Sequence, residues 1–219
     1  NIADEKQKTW CKITSAGKII NYFKSYNVET ILFAGGMSRP PFASLIPDRE
    51  GLKLLNRVRK LEKSGDNALL KEVMKFMEDY NFTVIGADEI ADNLLAEQGL
   101  IAGEDLNEVE LKNIAVGKHA AEELGKADIG QAVIVRDGKI VEKEDRSGTA
   151  KMIERFGASF HENNNMKNAA DAVLVKMIKP NQDRRIDLPA IGTKTIEMAK
   201  DNGIKIIAVS SGNLFVLEK

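Results

Sequence analysis

Ala172-Val173-Leu174-Val175-Lys176-Met177-Ile178, then the charged stretch Lys179-Pro180-Asn181-Gln182-Asp183-Arg184-Arg185-Ile186-Asp187-Leu188-Pro189, then Thr193 to Asn202-Gly203, then Ile204-Lys205-Ile206-Ile207-Ala208-Val209. In order these read as strand, loop, helix and strand. Apolar runs this short suit strands buried on both faces. Thr193 is suited to cap the helix, and Asn202-Gly203 is suited to end it. The order makes a β-α-β unit, with Leu214 to Leu217 expected to pair alongside after the Ser211-Gly212-Asn213 turn. Upstream, Gln131 to Arg136 and Lys139 to Glu142 are β runs joined by Asp137-Gly138, a strong hairpin signal. Helices are expected from about Asn107 to Leu124 and from about Thr149 to Phe156, and the polar run His161 to Asn165 reads as a surface loop. Residues 107–219 are therefore expected to form a domain with a mixed sheet and helices.

The first hundred residues repeat the theme. Thr14 or Ser15 is placed to cap a helix with Ile19, Ile20 and Phe23 on its apolar face. Val28 to Ala34 reads as a strand that runs straight into Gly35-Gly36. Asp66 opens a periodic helix with Leu69, Leu70, Val73, Met74, Phe76 and Met77 inward, and Phe82 to Gly86 is the next strand. Periodicity fades from Glu97 to Leu106, around Gly99 and Gly103, which places a boundary there. The expected fold class is α/β: a Rossmann-like domain over residues 1–100 and a second α/β domain over 107–219. At 219 residues the chain is long enough for two such cores.

Composition narrows the partners. Charged residues make up 30% and the net charge is −1, so no electrostatic grip on nucleic acid is expected, and any positive site must be local. The single cysteine, Cys11, has no internal disulfide partner, which fits a cytoplasmic protein. The longest apolar runs are strand-length, far short of the ~20 residues of a membrane helix, so membrane contact is expected to be peripheral and transient at most.

The stretch from Lys179 to Gly192 is too long and too charged for a plain connection, and such loops are usually functional or disordered. It gathers Lys176, Lys179, Arg184 and Arg185 with Asp183 and Asp187 at the carboxyl end of a buried strand. That set suits a phosphate ester: guanidinium forks match phosphate oxygens, and a carboxylate holds magnesium or orients a water. It also fits a solvated loop with surface salt bridges. Gly35-Gly36 with Arg39 suits a backbone cradle for a nucleotide or sugar, or simply a tight turn. Asp66 reads as a helix cap that also fits a ligand contact. His119 and His161 have no second metal ligand at the usual spacing, which argues against zinc. No phosphate-binding Gly-x-x-x-x-Gly-Lys-Ser/Thr run or Gly-x-Gly-x-x-Gly run is present.

Taken together, Ala34-Gly35-Gly36-Met37-Ser38-Arg39-Pro40, Gly51-Leu52-Lys53, Gly65-Asp66-Asn67-Ala68-Leu69-Leu70, Asp128-Ile129-Gly130-Gln131 and Val175 to Gly192 resemble the LpxI-type UDP-2,3-diacylglucosamine pyrophosphatases. The last segment, with Gln182 and then Arg185-Ile186-Asp187-Leu188-Pro189, is the most specific. The resemblance implies magnesium-dependent hydrolysis of UDP-2,3-diacylglucosamine to UMP and 2,3-diacylglucosamine 1-phosphate in lipid A synthesis, with water attacking the α-phosphorus. It implies two domains that hold a lipid-linked nucleotide sugar between them.

The resemblance makes Asp187 important for catalysis, and the chemistry of the residues suggests the other roles. Asp187 is expected to be catalytic and to hold the metal, with Arg185 and Lys179 beside it. Gly35, Gly36, Arg39, Asp66, Gln131, Thr149, Lys176, Gln182 and Arg184 are expected to bind substrate. Family members begin with a strand and a Gly-rich turn that lie ahead of Asn1, so the first domain is expected to be incomplete at its start. They also carry Glu-Gly-Thr-Asp after the hairpin, where this chain has Ser147-Gly148-Thr149-Ala150. That difference leaves room for a non-catalytic nucleotide-sugar or lipid-phosphate binding protein.

Overall fold

The computed structural model describes residues 8–36, 46–61, 66–162 and 172–218, without the side chains of Asp66 and residues 160–162. Arg39 and the side chain of Asp66, both expected at the site, lie outside what is described. The backbone clusters into two compact units, Asn1–Gly86 and Ala87–Lys219.

The first unit carries α1 (Ala16–Ser25), β1 (Thr30–Leu32), α2 (Arg49–Arg59), α3 (Asp66–Glu78) and β2 (Thr83–Ile85). β1 and β2 pair in parallel, Thr30 opposite Thr83 and Leu32 opposite Ile85, so the connection is a crossover containing helices, as in α/β folds. Ile20, Ile31, Met74, Phe76, Met77, Phe82 and Val84 are buried. The sequence pattern does not announce α2, because Leu52, Leu54 and Leu55 alternate with charged residues and only Gly51 and Val58 are buried. The strands are also shorter than the apolar runs that suggested them.

The expected cap of α1 is corrected by the structure. Ser15 occupies the cap position without a side-chain bond. The carboxylate of Asp48 instead accepts Gly17 N–H at 3.2 Å and Lys18 N–H at 3.1 Å, while capping its own helix α2 through Gly51 N–H at 2.7 Å. Burial alone would raise the Asp48 pKa, but backbone N–H groups of Gly51, Gly17, Lys18 and Glu50 bond the ionised form and hold it below the usual value. Because its folded pKa is depressed, the stability it contributes is present above the unfolded pKa and is lost as pH falls through the folded one. Asp48→Ala is expected to lower stability by about 2 kcal/mol at neutral pH, the upper end for a cap, since two helices lose an acceptor. The difference from the parent should shrink below pH 4 in urea melts.

The second unit opens with two short 3-10 turns, Ala87–Glu89 and Asp92–Leu94, and α4 (Glu108–Lys126). Asn107 and Glu110 form a complete capping box at the start of α4. The hairpin β3 (Ala132–Arg136) and β4 (Lys139–Lys143) turns at Asp137 and Gly138, which have φ of 50° and 70°. Two consecutive positive φ values match the right-handed strand twist, as the Asp-Gly pair led one to expect. α5 (Gly148–Glu162), β5 (Ala172–Lys176), β6 (Ala190–Ile191), α6 (Thr193–Asp201), β7 (Ile204–Val209) and β8 (Phe215–Val216) follow.

The main sheet has the order β4-β3-β5-β7, with β5 and β7 parallel and the other pairs antiparallel. Alternation divides its core. Ala132, Ile134, Ala172 and Leu174 face Met152, Ile153 and Phe156 of α5 and Ala199 of α6. Val133, Val135, Val173 and Val175 face Ala121 of α4. Helices therefore cover both faces, which is why these strands are apolar throughout.

Three further expectations are corrected. α5 continues through His161 and Glu162, so the start of the expected loop is helical, and residues 163–165 lie outside what is described. Gly192 is the cap residue of α6, and the Thr193 hydroxyl bonds Glu218 Oε2 at 2.7 Å instead. β8 does not join β7 but pairs in parallel with β6, Ala190 opposite Phe215, as a second small sheet. Among the described residues, no helix is long and apolar enough to cross a membrane.

Candidate functional site

The carboxyl ends of the parallel strands β5 and β7 carry the polar chemistry of the second unit, where open α/β sheets present their ligands. β5 ends at Lys176, which is 8% exposed, and its Nζ donates to the Ala190 carbonyl at 3.0 Å. Burial pushes the Lys176 ammonium below the ordinary lysine value, against the opposing pull of the Glu144 and Asp187 carboxylates. Just past β7, Ser210 donates its N–H to Lys176 O at 3.3 Å, and its Oγ accepts Ile178 N–H at 3.2 Å. The start of the long loop is thus tied to the neighbouring strand.

The loop is built around its own side chains. Gln182, 9% exposed, accepts Lys179 N–H at 3.0 Å through Oε1 and donates through Nε2 to Asp187 Oδ2. The Asp183 carbonyl accepts the N–H groups of Ile186 at 3.2 Å and Asp187 at 3.1 Å, closing a tight turn that presents Asp187. Beyond it, Pro189 and Ile191 carbonyls take the N–H groups of Phe215 and Leu217, each at 2.9 Å. Asp187, Gln182 and Lys176 are brought together.

The cations are distributed differently. Arg185 folds onto Asp183, with Nε at 3.0 Å from Oδ1 and Nη2 at 2.8 Å from Oδ2. Lys179 bonds Asp128 Oδ1 at 2.7 Å. Arg184 turns elsewhere: Nε and Nη2 lie 3.1 and 2.7 Å from Asp88 Oδ2, Nη1 is 2.5 Å from Asn213 Oδ1, and Nη2 is 3.0 Å from Gly212 O. It ties the first 3-10 turn of the unit to the turn before β8.

Gln131 and Thr149 meet at a residue the sequence reading passed over. Glu144, 6% exposed, accepts Gln131 N–H at 2.6 Å on Oε2 and the Thr149 hydroxyl at 2.6 Å on Oε1. Gln131 Oε1 is buried without a hydrogen-bond partner among the described residues, an acceptor suited to a donor on a ligand or to a water. Gly130 allows this closeness, because a Cβ there would lie 2.8 Å from the Glu144 carbonyl oxygen. Glu144 sits in the charged run Glu142-Lys143-Glu144-Asp145-Arg146, where nothing marks it out from its neighbours.

In the first unit, Gly35 has φ of 93° in the exposed segment after β1, and none of the described residues lies near the Cβ position of either Gly35 or Gly36. The described residues contain no group of three or more His, Cys, Asp or Glu able to hold a metal. Magnesium typically uses one or two protein carboxylates plus phosphate oxygens and water, so Asp187 beside a bound diphosphate is a donor set that fits it.

Comparison with known proteins supplies the family. Residues 97–219 match the model described as the LpxI C-terminal domain, and residues 1–94 that of the LpxI N-terminal domain. The chain is 32% identical over 203 residues, 93% of its length and 72% of the relative's, to a UDP-2,3-diacylglucosamine pyrophosphatase LpxI of Caulobacter vibrioides.

Proposed function

Because the chain belongs to the LpxI family, we propose that it hydrolyses the diphosphate of UDP-2,3-diacylglucosamine, releasing UMP and 2,3-diacylglucosamine 1-phosphate. The observation that carries this reading is the Asp187 carboxylate, fixed by Gln182 beside the buried Lys176 at the carboxyl end of β5. Water attacks the α-phosphorus, and the P–O bond to the bridging oxygen breaks. Asp187 orients that water or a magnesium ion. Bound magnesium supplies charge neutralisation on the phosphate oxygens.

The chain's own residues do the rest. Arg185 and Lys179 exchange Asp183 and Asp128 for phosphate oxygens and stabilise the charge that grows on the leaving phosphate. A diphosphate gives each cation a more highly charged acceptor than the carboxylate it leaves. Gln131 offers its buried Oε1 to a donor on the substrate. Arg184, committed to Asp88, Asn213 and Gly212, serves by holding the loop's frame.

One observation favours a second reading. Ser147 and Ala150 stand where family members carry acids, which suits a protein that binds the nucleotide sugar without cleaving it. Glu144 weighs against it, since a buried carboxylate is present three residues before Ser147. The deciding experiment follows UMP and sugar phosphate by chromatography with magnesium and with a chelator. Metal-dependent appearance of both products supports hydrolysis. Saturable binding without either product supports the second reading.

A further inference from the structure

We propose that Glu144 is a positioning residue that holds the Asp187 segment through Lys176, reaching it over Ala132. The inference rests on the reading of Asp187 as the catalytic carboxylate. Ala132 pairs with Lys176 across β3 and β5. On its other side, the Ala132 carbonyl accepts Glu144 N–H at 2.9 Å, one step beyond the Val133–Lys143 pair of the hairpin. Residues directly opposite on neighbouring strands share a face, so Glu144, Ala132 and Lys176 form one row across three strands. The outer two backbones are about 10 Å apart at the usual strand spacing, and Ala132 contributes only a methyl group to the row between them.

The row carries two buried opposite charges, Glu144 and Lys176, on either side of Ala132. Glu144 is anchored at both oxygens by Gln131 N–H and the Thr149 hydroxyl, so it cannot turn away. A buried anion of this kind needs a cation, and Lys176, itself buried, supplies one. The far end of Lys176 donates to Ala190 O, three residues from Asp187, between the two carbonyls that bind Phe215 and Leu217. Without Glu144 the buried Lys176 is left with Asp187 as its acidic neighbour, and its hold on the Ala190 carbonyl loosens.

Glu144→Gln tests this, because the amide keeps an acceptor for Gln131 N–H and a donor for the Thr149 oxygen while removing only the charge. In the full chain, kcat for UMP release is expected to fall about tenfold or more with KM changed less than about threefold. Amide hydrogen exchange at Asp187, Phe215 and Leu217 is expected to quicken by about tenfold while Val133 and Leu174 keep their protection. Lys176→Met should give the same exchange pattern, and the double variant should lose less than the two single losses combined. Unchanged kcat and exchange in Glu144→Gln, exchange altered only at Gln131 and Thr149, or additive losses would each overturn the proposal. Should the parent protein release no UMP, the proposed activity fails by itself, and the exchange pattern still decides the role of Glu144.

Discussion

Asp187→Ala is expected to reduce magnesium-dependent UMP release by roughly a thousandfold, within the range attributed to a positioned acid-base group. The carboxylate is the acid that the loop turn presents and Gln182 fixes, beside a buried lysine. Removing it leaves Lys176 with Glu144 as its remaining acidic neighbour, so the site stays charge-paired and the fold should survive. Asp187→Asn makes the sharper comparison. Its amide oxygen can still accept from Gln182, so the shape persists while the charge is lost. Both variants should show parental circular dichroism and melting behaviour, with KM little changed and kcat collapsed, measured by chromatographic product analysis. An Asn variant that kept full magnesium-dependent turnover would remove Asp187 from the chemistry.

Gly51→Ala should destabilise the first unit. A Cβ at this position would overlap the Thr14 carbonyl oxygen and lie 2.9 Å from its carbonyl carbon, both backbone atoms with no rotamer to yield. That carbonyl also accepts Asp48 N–H at 3.2 Å, so moving it disturbs the residue that caps two helices. Alanine gains helix propensity of up to about 1 kcal/mol over glycine, but overpacking typically costs 1–3 kcal/mol and occasionally more. A net loss of about 2 kcal/mol is expected, with the greater part of the change in exchange protection confined to α1 and α2. A calorimetric melt with the same midpoint as the parent would contradict the close packing.

These residues also show what a sequence can disclose. The order of the second unit was legible because its strands are apolar on both faces and its hairpin carries Asp-Gly, signals that local chemistry alone produces. The glycines of the resemblance, Gly51 and Gly130, mark places where another backbone comes too near for a side chain, but their partners, Thr14 and Glu144, are invisible without the fold. Glu144 was hidden for a further reason. The hairpin register starts with Arg136 opposite Lys139 and Val135 opposite Ile140, which would continue to place Lys143 opposite Ala132. A shift between Ile134 and Val135 puts Glu142 opposite Ile134 instead, and so brings Glu144 to Ala132. One extra residue in a charged strand exchanges a lysine for a carboxylate at the site.

Loop composition likewise identified Arg184 as basic but not where it points. Its acceptors, Asp88 and Asn213, lie 96 and 29 residues away in the chain. The cap of α1 failed for the same reason, since Asp48 competes from 30 residues downstream and wins by bonding two consecutive N–H groups.

The pairing of β8 with β6 sets an order of events during synthesis. A polypeptide is made from its amino end, and Phe215 and Leu217 supply the N–H groups that hold Pro189 and Ile191 on either side of the Lys176 contact. The sheet core through β5 can condense earlier, yet the segment that presents Asp187 lacks its β8 support until residues some thirty positions later have left the ribosome. The candidate site is therefore completed late, after the scaffold that bears it is already made.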